Sequence, residues 1–159
     1  MKKNLLLPSD ISNAVCCLVS KNKLWAGKKV VISIIANKTA GCFTHKKKSS
    51  KLKALLDNCI QRNSSKETVT QSVESKIYIT QYANHAKELT DAIIAEFAAL
   101  ENDIHCLLVT AGGDGTCQEV QTALIKAAYS SETKRNVVMN KITILRLPLG
   151  TGNDGTDGH

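Results

Sequence analysis

The sequence predicts an α/β domain: a parallel βαβαβαβ sheet between two helical layers, three-layered and Rossmann-like in its winding. Three observations predict it. Short apolar runs rich in β-branched residues recur at 29–36, 76–80, 104–111 and 141–147. Between them the apolar period lengthens to that of a helix. Each run closes in a turn-forming loop, so the strands are expected to be parallel and joined by right-handed crossovers.

Residues 1–27 precede the first run and read as an N-terminal extension. Lys2, Lys3 and the leucines at 5–7 look like the opening of a secretory leader, but Pro8-Ser9-Asp10 interrupts the apolar stretch too early for one. No stretch reaches transmembrane length, and a cytoplasmic location is expected. Residues 14–19 are expected to form a short helix or strand packed on the main domain. Val30, Val31, Ile32, Ile34 and Ile35 make the first strand, which ends in the loop Asn37-Lys38-Thr39-Ala40-Gly41. From about Ser49, Leu52, Leu55, Leu56, Cys59 and Ile60 keep helical spacing. The polar segment 64–75 reads as a loop before the second strand. Ala86, Leu89, Ile93, Phe97 and Leu100 then mark one face of the second helix, and Val120, Ala123, Leu124, Ala127 and Ala128 that of the third. Segment 130–136 is again expected to be a loop.

At 159 residues and 43% hydrophobic content, the chain is long enough for one domain with a substantial core, and 4% aromatic content makes that core aliphatic. A formal charge of +7 suits a phosphate-bearing partner, whether nucleotide, anionic lipid or nucleic acid, without choosing among them. The run Lys46-Lys47-Lys48 with Lys51 and Lys53 reads first as a solvated face. No aromatic residue interleaves it, so nucleic acid is not expected. Cys16, Cys17, Cys42, Cys59, Cys106 and Cys117 lack CxxC spacing, and the histidines lack ligand spacing with them. Reduced thiols and no metal site are expected.

Ligands of a parallel sheet bind beyond the carboxyl ends of its strands. The loops at 37–41, 80–85, 112–116 and 148–154 each follow a strand, so they converge on one edge. The turn Gly112-Gly113-Asp114-Gly115-Thr116 feeds a helix whose first N–H groups and positive dipole end suit phosphate. Its glycines are expected to permit positive φ and close backbone approach to a ligand. Asp114 sits awkwardly beside an anion unless a metal ion or proton transfer intervenes; the plain alternative is a glycine-rich turn with Asp114 as N-cap. Cys117 is either a thiol activated by the helix end or, the favoured reading, a small packing residue. The cluster Pro148-Leu149-Gly150-Thr151-Gly152-Asn153-Asp154-Gly155 spells GxGxxG without the context of a dinucleotide fingerprint, and no Walker A sequence is present.

Together, Gly112-Gly113-Asp114-Gly115-Thr116 with Glu119-Val120, and Pro148-Leu149-Gly150-Thr151-Gly152-Asn153-Asp154, resemble the diacylglycerol kinase catalytic-domain family of lipid kinases. Asn37 and Gly41 fall where that family carries Asn-Pro-x-Ser-Gly, and Thr80 with His85-Ala86 resembles its threonine and following helix start. The resemblance spans residues 28–154. It implies the nucleotide-binding half of a fold shared with NAD kinases, with ATP and Mg2+ as cofactors and a lipid hydroxyl, such as that of diacylglycerol or a sphingoid base, as acceptor. It further implies ATP contacts from Asn37, Lys38, Thr39, Ala40, Gly41, Thr80, Gly112, Gly113, Asp114, Gly115, Thr116, Gly150, Thr151, Gly152, Asn153 and Asp154. Asp114 would be the base toward the lipid hydroxyl.

The chain departs from the family pattern at Lys38, which replaces a proline, and Ala40, which replaces a serine. Lys38 offers a point charge to phosphate instead. Residues 155–159 end the chain before the family's β-rich second domain, so a truncated tail and little turnover alone are expected. An NAD kinase-like enzyme and a non-catalytic module binding nucleotide or anionic lipid are the competing readings. Peripheral contact with an anionic membrane fits either lipid reading.

Overall fold

The computed structural model describes residues 5–150. Helix α1 (Pro8–Ser20) and a 3-10 turn (Lys23–Trp25) lead into β1 (Lys29–Ala36), α2 (Gly41–Thr44), α3 (Lys46–Asn63) and β2 (Ser72–Ile79). Then follow α4 (His85–Ala99), β3 (Ile104–Gly112), α5 (Asp114–Ser130), α6 (Glu132–Asn140) and β4 (Ile142–Pro148). The four strands form one parallel sheet in the order β2-β1-β3-β4. The chain leaves β1 toward one edge to make β2 and returns on the other side to make β3. Between β1 and β3, therefore, the winding reverses and the carboxyl ends open a crevice.

The pleat divides the apolar residues of the strands between two cores. On one face Ile11, Val15, Val19, Trp25 and Phe43 pack on Val30, Ile32, Ile34, Leu107 and Val109. On the other, Ile93, Ile94, Phe97, Val120, Leu124, Ala127 and Val137 pack on Ile35, Cys106 and Leu108. β1 and β3, covered on both faces, are the most continuously apolar strands.

Several elements differ from their sequence expectation. The segment at 14–19 is part of a 13-residue helix that begins at Pro8, and its Ile11 is fully buried against the sheet. Pro8-Ser9-Asp10, which interrupts the leucine run, is a helix start: Asp10 at N3 accepts the Leu7 N–H at 2.7 Å. It also pairs with Lys53 of α3 at 2.5 Å. Helix α3 starts at Lys46, three residues before Ser49, and its Leu55 stays exposed. β2 begins at Ser72, inside the expected loop, because an edge strand with one wet face tolerates serine and glutamate. Most of segment 130–136 is helical. Ser131 caps α6 by accepting the Lys134 N–H at 3.3 Å, and Val137 is the helix's buried residue, so no apolar period announces it.

Candidate nucleotide-binding site

Backbone hydrogen bonds tie three strand ends together at the crevice. The Asn37 N–H, just past β1, donates to the Ala111 carbonyl of β3 at 2.9 Å. The Leu149 N–H, just past β4, donates to the Gly112 carbonyl at 2.8 Å, and Cys42 of α2 donates to the Leu149 carbonyl at 2.8 Å. The Asn37 side chain folds the loop into an Asx turn, its Oδ1 accepting from the Thr39 N–H at 3.0 Å and the Thr39 hydroxyl at 2.7 Å. Its Nδ2 reaches the Thr116 hydroxyl in α5 at 3.5 Å.

These ties enclose a cleft of about 410 Å³. Asn37, Thr39, Ala40 and Gly41 line one side; Gly113, Asp114, Gly115 and Thr116 line the other, with Gly150 between. Thr44, which sequence reasoning passed over, adds a hydroxyl from α2. Lys38 is exposed at the loop tip and Gly112 is buried beneath the turn; neither lines the cleft. Thr80 also lies outside it, its N–H donating to the Ala36 carbonyl at 3.0 Å. Thr151, Gly152, Asn153 and Asp154 lie outside the described residues.

The turn's glycines act differently from expectation. None of them has positive φ; Gly27, remote from the turn, is the left-handed glycine among the described residues. Gly112 instead makes room for α5: a Cβ there would meet the Thr116 hydroxyl at 2.6 Å. Gly113 is the extended N-cap of α5, and a Cβ on it would meet the Gly150 Cα at 3.5 Å. A Cβ on Gly115 would meet nothing within 4 Å, so the backbone there is open to a ligand.

Asp114 is the first helical residue, not the cap, and its carboxylate forms an ion pair with Arg146 of β4. Arg146 stands opposite Thr110 in the β3–β4 register, one strand away from the turn. Sequence reasoning missed it. Its one signal is a charged residue within a strand that is apolar apart from Thr143, two residues before Pro148.

Glu119 also has a defined role: its carboxylate accepts the N–H groups of Asn84 at 2.9 Å and Ala86 at 3.2 Å, joining α5 to the start of α4. Asn84 adopts a left-handed φ of 70° there. His85 accepts the Gln81 N–H on Nδ1 at 3.1 Å and stacks on Tyr82 at 4.4 Å. Cys117 is buried on the inner face of α5, consistent with packing.

A parallel sheet with a polar cleft at its switch point, walled by a helix N-terminus, defines an α/β protein of the Rossmann-like class. More specifically, the diacylglycerol kinase catalytic domain model matches residues 31–157, and the chain belongs to that family. Membership makes this a kinase-type catalytic domain, a class that uses ATP in general. No curated protein matches the chain. Among solved structures it is similar to the Argonaute protein from Methanocaldcoccus janaschii at 13% identity with a TM-score of 0.37. That match covers 86% of this chain and 19% of the other, a likeness too slight to assign a fold or function.

Proposed function

We propose that this chain is the nucleotide-binding part of an ATP-dependent lipid kinase acting on a diacylglycerol or sphingoid-base hydroxyl. The observation that carries the proposal is the cleft between the Asn37 loop and the start of α5, in a chain of this family. Its donors suit phosphate oxygens: the first N–H groups of a 17-residue helix, the Thr116 hydroxyl and the second N–H of the Asn37 amide. The open backbone at Gly115 leaves room for a phosphate to come close. ATP would be held by the 37–41 loop, the 112–116 turn and residues 150–154, with Thr80 outside the cleft, and when bound it supplies the phosphoryl group. Asp114, the carboxylate of the cleft lining, takes up the proton of the acceptor hydroxyl, and Mg2+ accompanies the phosphates.

The lining is made of Asn, Thr, Asp, Gly and one Ala, so it matches phosphates and not an acyl chain. Residues 28–154 are therefore expected to turn over slowly by themselves. The location we propose is cytoplasmic, with the exposed Lys46, Lys47, Lys48 and Lys51 touching an anionic membrane. No helix among the described residues is long and apolar enough to cross one.

The test is calorimetric binding of magnesium ATP to the wild type and to Gly115→Ala. The added methyl meets no protein atom, so a variant that folds normally but loses ATP places the ligand against that backbone. A folded wild type that binds no ATP refutes the proposal. Lipid phosphate formed from diacylglycerol or sphingosine, against NADP formed from NAD, separates the lipid kinase from an NAD kinase-like enzyme.

A further inference from the structure

We infer that Arg146 is a positioning residue of the cleft: by holding the Asp114 carboxylate and cancelling its charge, it makes the start of α5 receptive to a polyphosphate. The inference rests on the nucleotide reading of the cleft. Asp114 occupies the first position of α5, where a carboxylate competes with any anionic ligand for the positive helix end and the unpaired N–H groups. Left alone, its charge opposes the function of the turn it belongs to.

The structure holds that charge in a specific way. The Arg146 guanidinium meets Asp114 Oδ1 through Nη2, with 26% of the arginine side chain and 43% of the aspartate side chain exposed. The arginine, about three-quarters covered, is costly in that place unless paired. The strand position itself argues against incidental placement. Ile142 and Ile144 share this face of β4, so arginine is the one charged residue on it, and its ion-pair partner lies two elements away on α5. Among the described residues, Asp114 is the one ion-pair partner of Arg146. Glu119, the next acid along α5, has its carboxylate bound to the α4 backbone N–H groups and is not among the residues lining the cleft. Arg146 is not part of the cleft lining; the lining residue it holds is Asp114.

Tripolyphosphate in magnesium-free buffer is the probe, titrated calorimetrically into the wild type, Arg146→Met, Asp114→Asn and the double variant. Arg146→Met is expected to weaken binding by about tenfold, the order of one uncompensated unit charge near the ligand at a partly exposed site. Asp114→Asn, which leaves the Arg146 charge uncompensated, should bind at least as tightly as wild type, and the double variant, with neither charge, should return to within about twofold of wild type. A purely structural strap would not be rescued by Asp114→Asn, and thermal unfolding of each variant checks the fold. Unchanged binding in Arg146→Met, or a loss that persists in the double variant, overturns the inference and leaves the nucleotide reading standing. A folded wild type that binds neither tripolyphosphate nor magnesium ATP overturns both.

Discussion

Gly112→Ala should destabilise the protein even though the backbone at Gly112 is not left-handed. The new methyl would sit 2.6 Å from the Thr116 hydroxyl, 2.8 Å from its Cβ and 3.1 Å from its methyl. Rotation about χ1 moves the hydroxyl and the methyl, but Cβ is fixed to the α5 backbone. Relief therefore requires the first turn of α5 to move by several tenths of an ångström. Thr116 is buried and bonded to Asn37, which resists that movement. Overpacking of this kind costs about 1–3 kcal/mol. Alanine also restricts the unfolded chain relative to glycine, returning about 0.4–1 kcal/mol where the native backbone accepts it. The net expected loss is about 1–2 kcal/mol. Gly115→Ala is the matched control: its Cβ meets nothing within 4 Å, and its helical position favours alanine, so a gain of about 0.5–1 kcal/mol is expected. Urea denaturation reads both as shifts in midpoint at constant slope. Thr116→Ala added to Gly112→Ala should recover only part of the loss, because the Cβ contact remains. Equal midpoints for Gly112→Ala and Gly115→Ala would refute the steric reasoning.

Ile11→Ala should cost about 2–5 kcal/mol in the same assay, because Ile11 is fully buried in the core under β1; a cost near zero would mean that α1 is detachable. His105 should make stability pH-dependent. Burial, reinforced by the nearby Lys28 charge, holds its imidazole below the usual range, so the unfolded chain binds the proton more readily. Its contribution is complete above the ordinary pKa of 6.5 and is lost as pH falls through the lower folded value. His105→Gln should flatten the stability profile between about pH 7 and pH 5, and an unchanged slope would contradict this.

How well each element could be read follows from its solvent exposure. β1 and β3 are covered on both faces and must be apolar throughout, so their positions were plain. The amphipathic faces of α4 and α5 were plain for the related reason that each presents one face to the core. β2 and α6 escaped because each keeps most of its surface in water and needs little apolar pattern. At 14–19 the helix alternative holds and only the helix start at Pro8 is hidden, because proline at the first position and an acid at the third open a helix as readily as they end an apolar run. At the cleft, the convergence of the 37–41 loop with the 112–116 turn followed from parallel winding alone. The omission of Lys38 and Thr80 from the lining did not, since it depends on where the loop tip points and on how far β2 lies from the crevice.

Local pattern is enough to specify the alternation of strands and helices, the parallel sheet, the edge where its loops gather and the family whose motifs those loops carry. Periodicity and turn chemistry are local, and a one-dimensional string records them completely. What the individual groups do emerges from the packed fold. Gly112 serves the packing of Thr116 and not a strained backbone; Glu119 holds α4; Asp114 is answered by Arg146, 32 positions along the chain. Each of these depends on the register of one strand against its neighbour and on the seating of a helix over the sheet. Those are fixed by the mutual packing of distant segments, which no local pattern encodes.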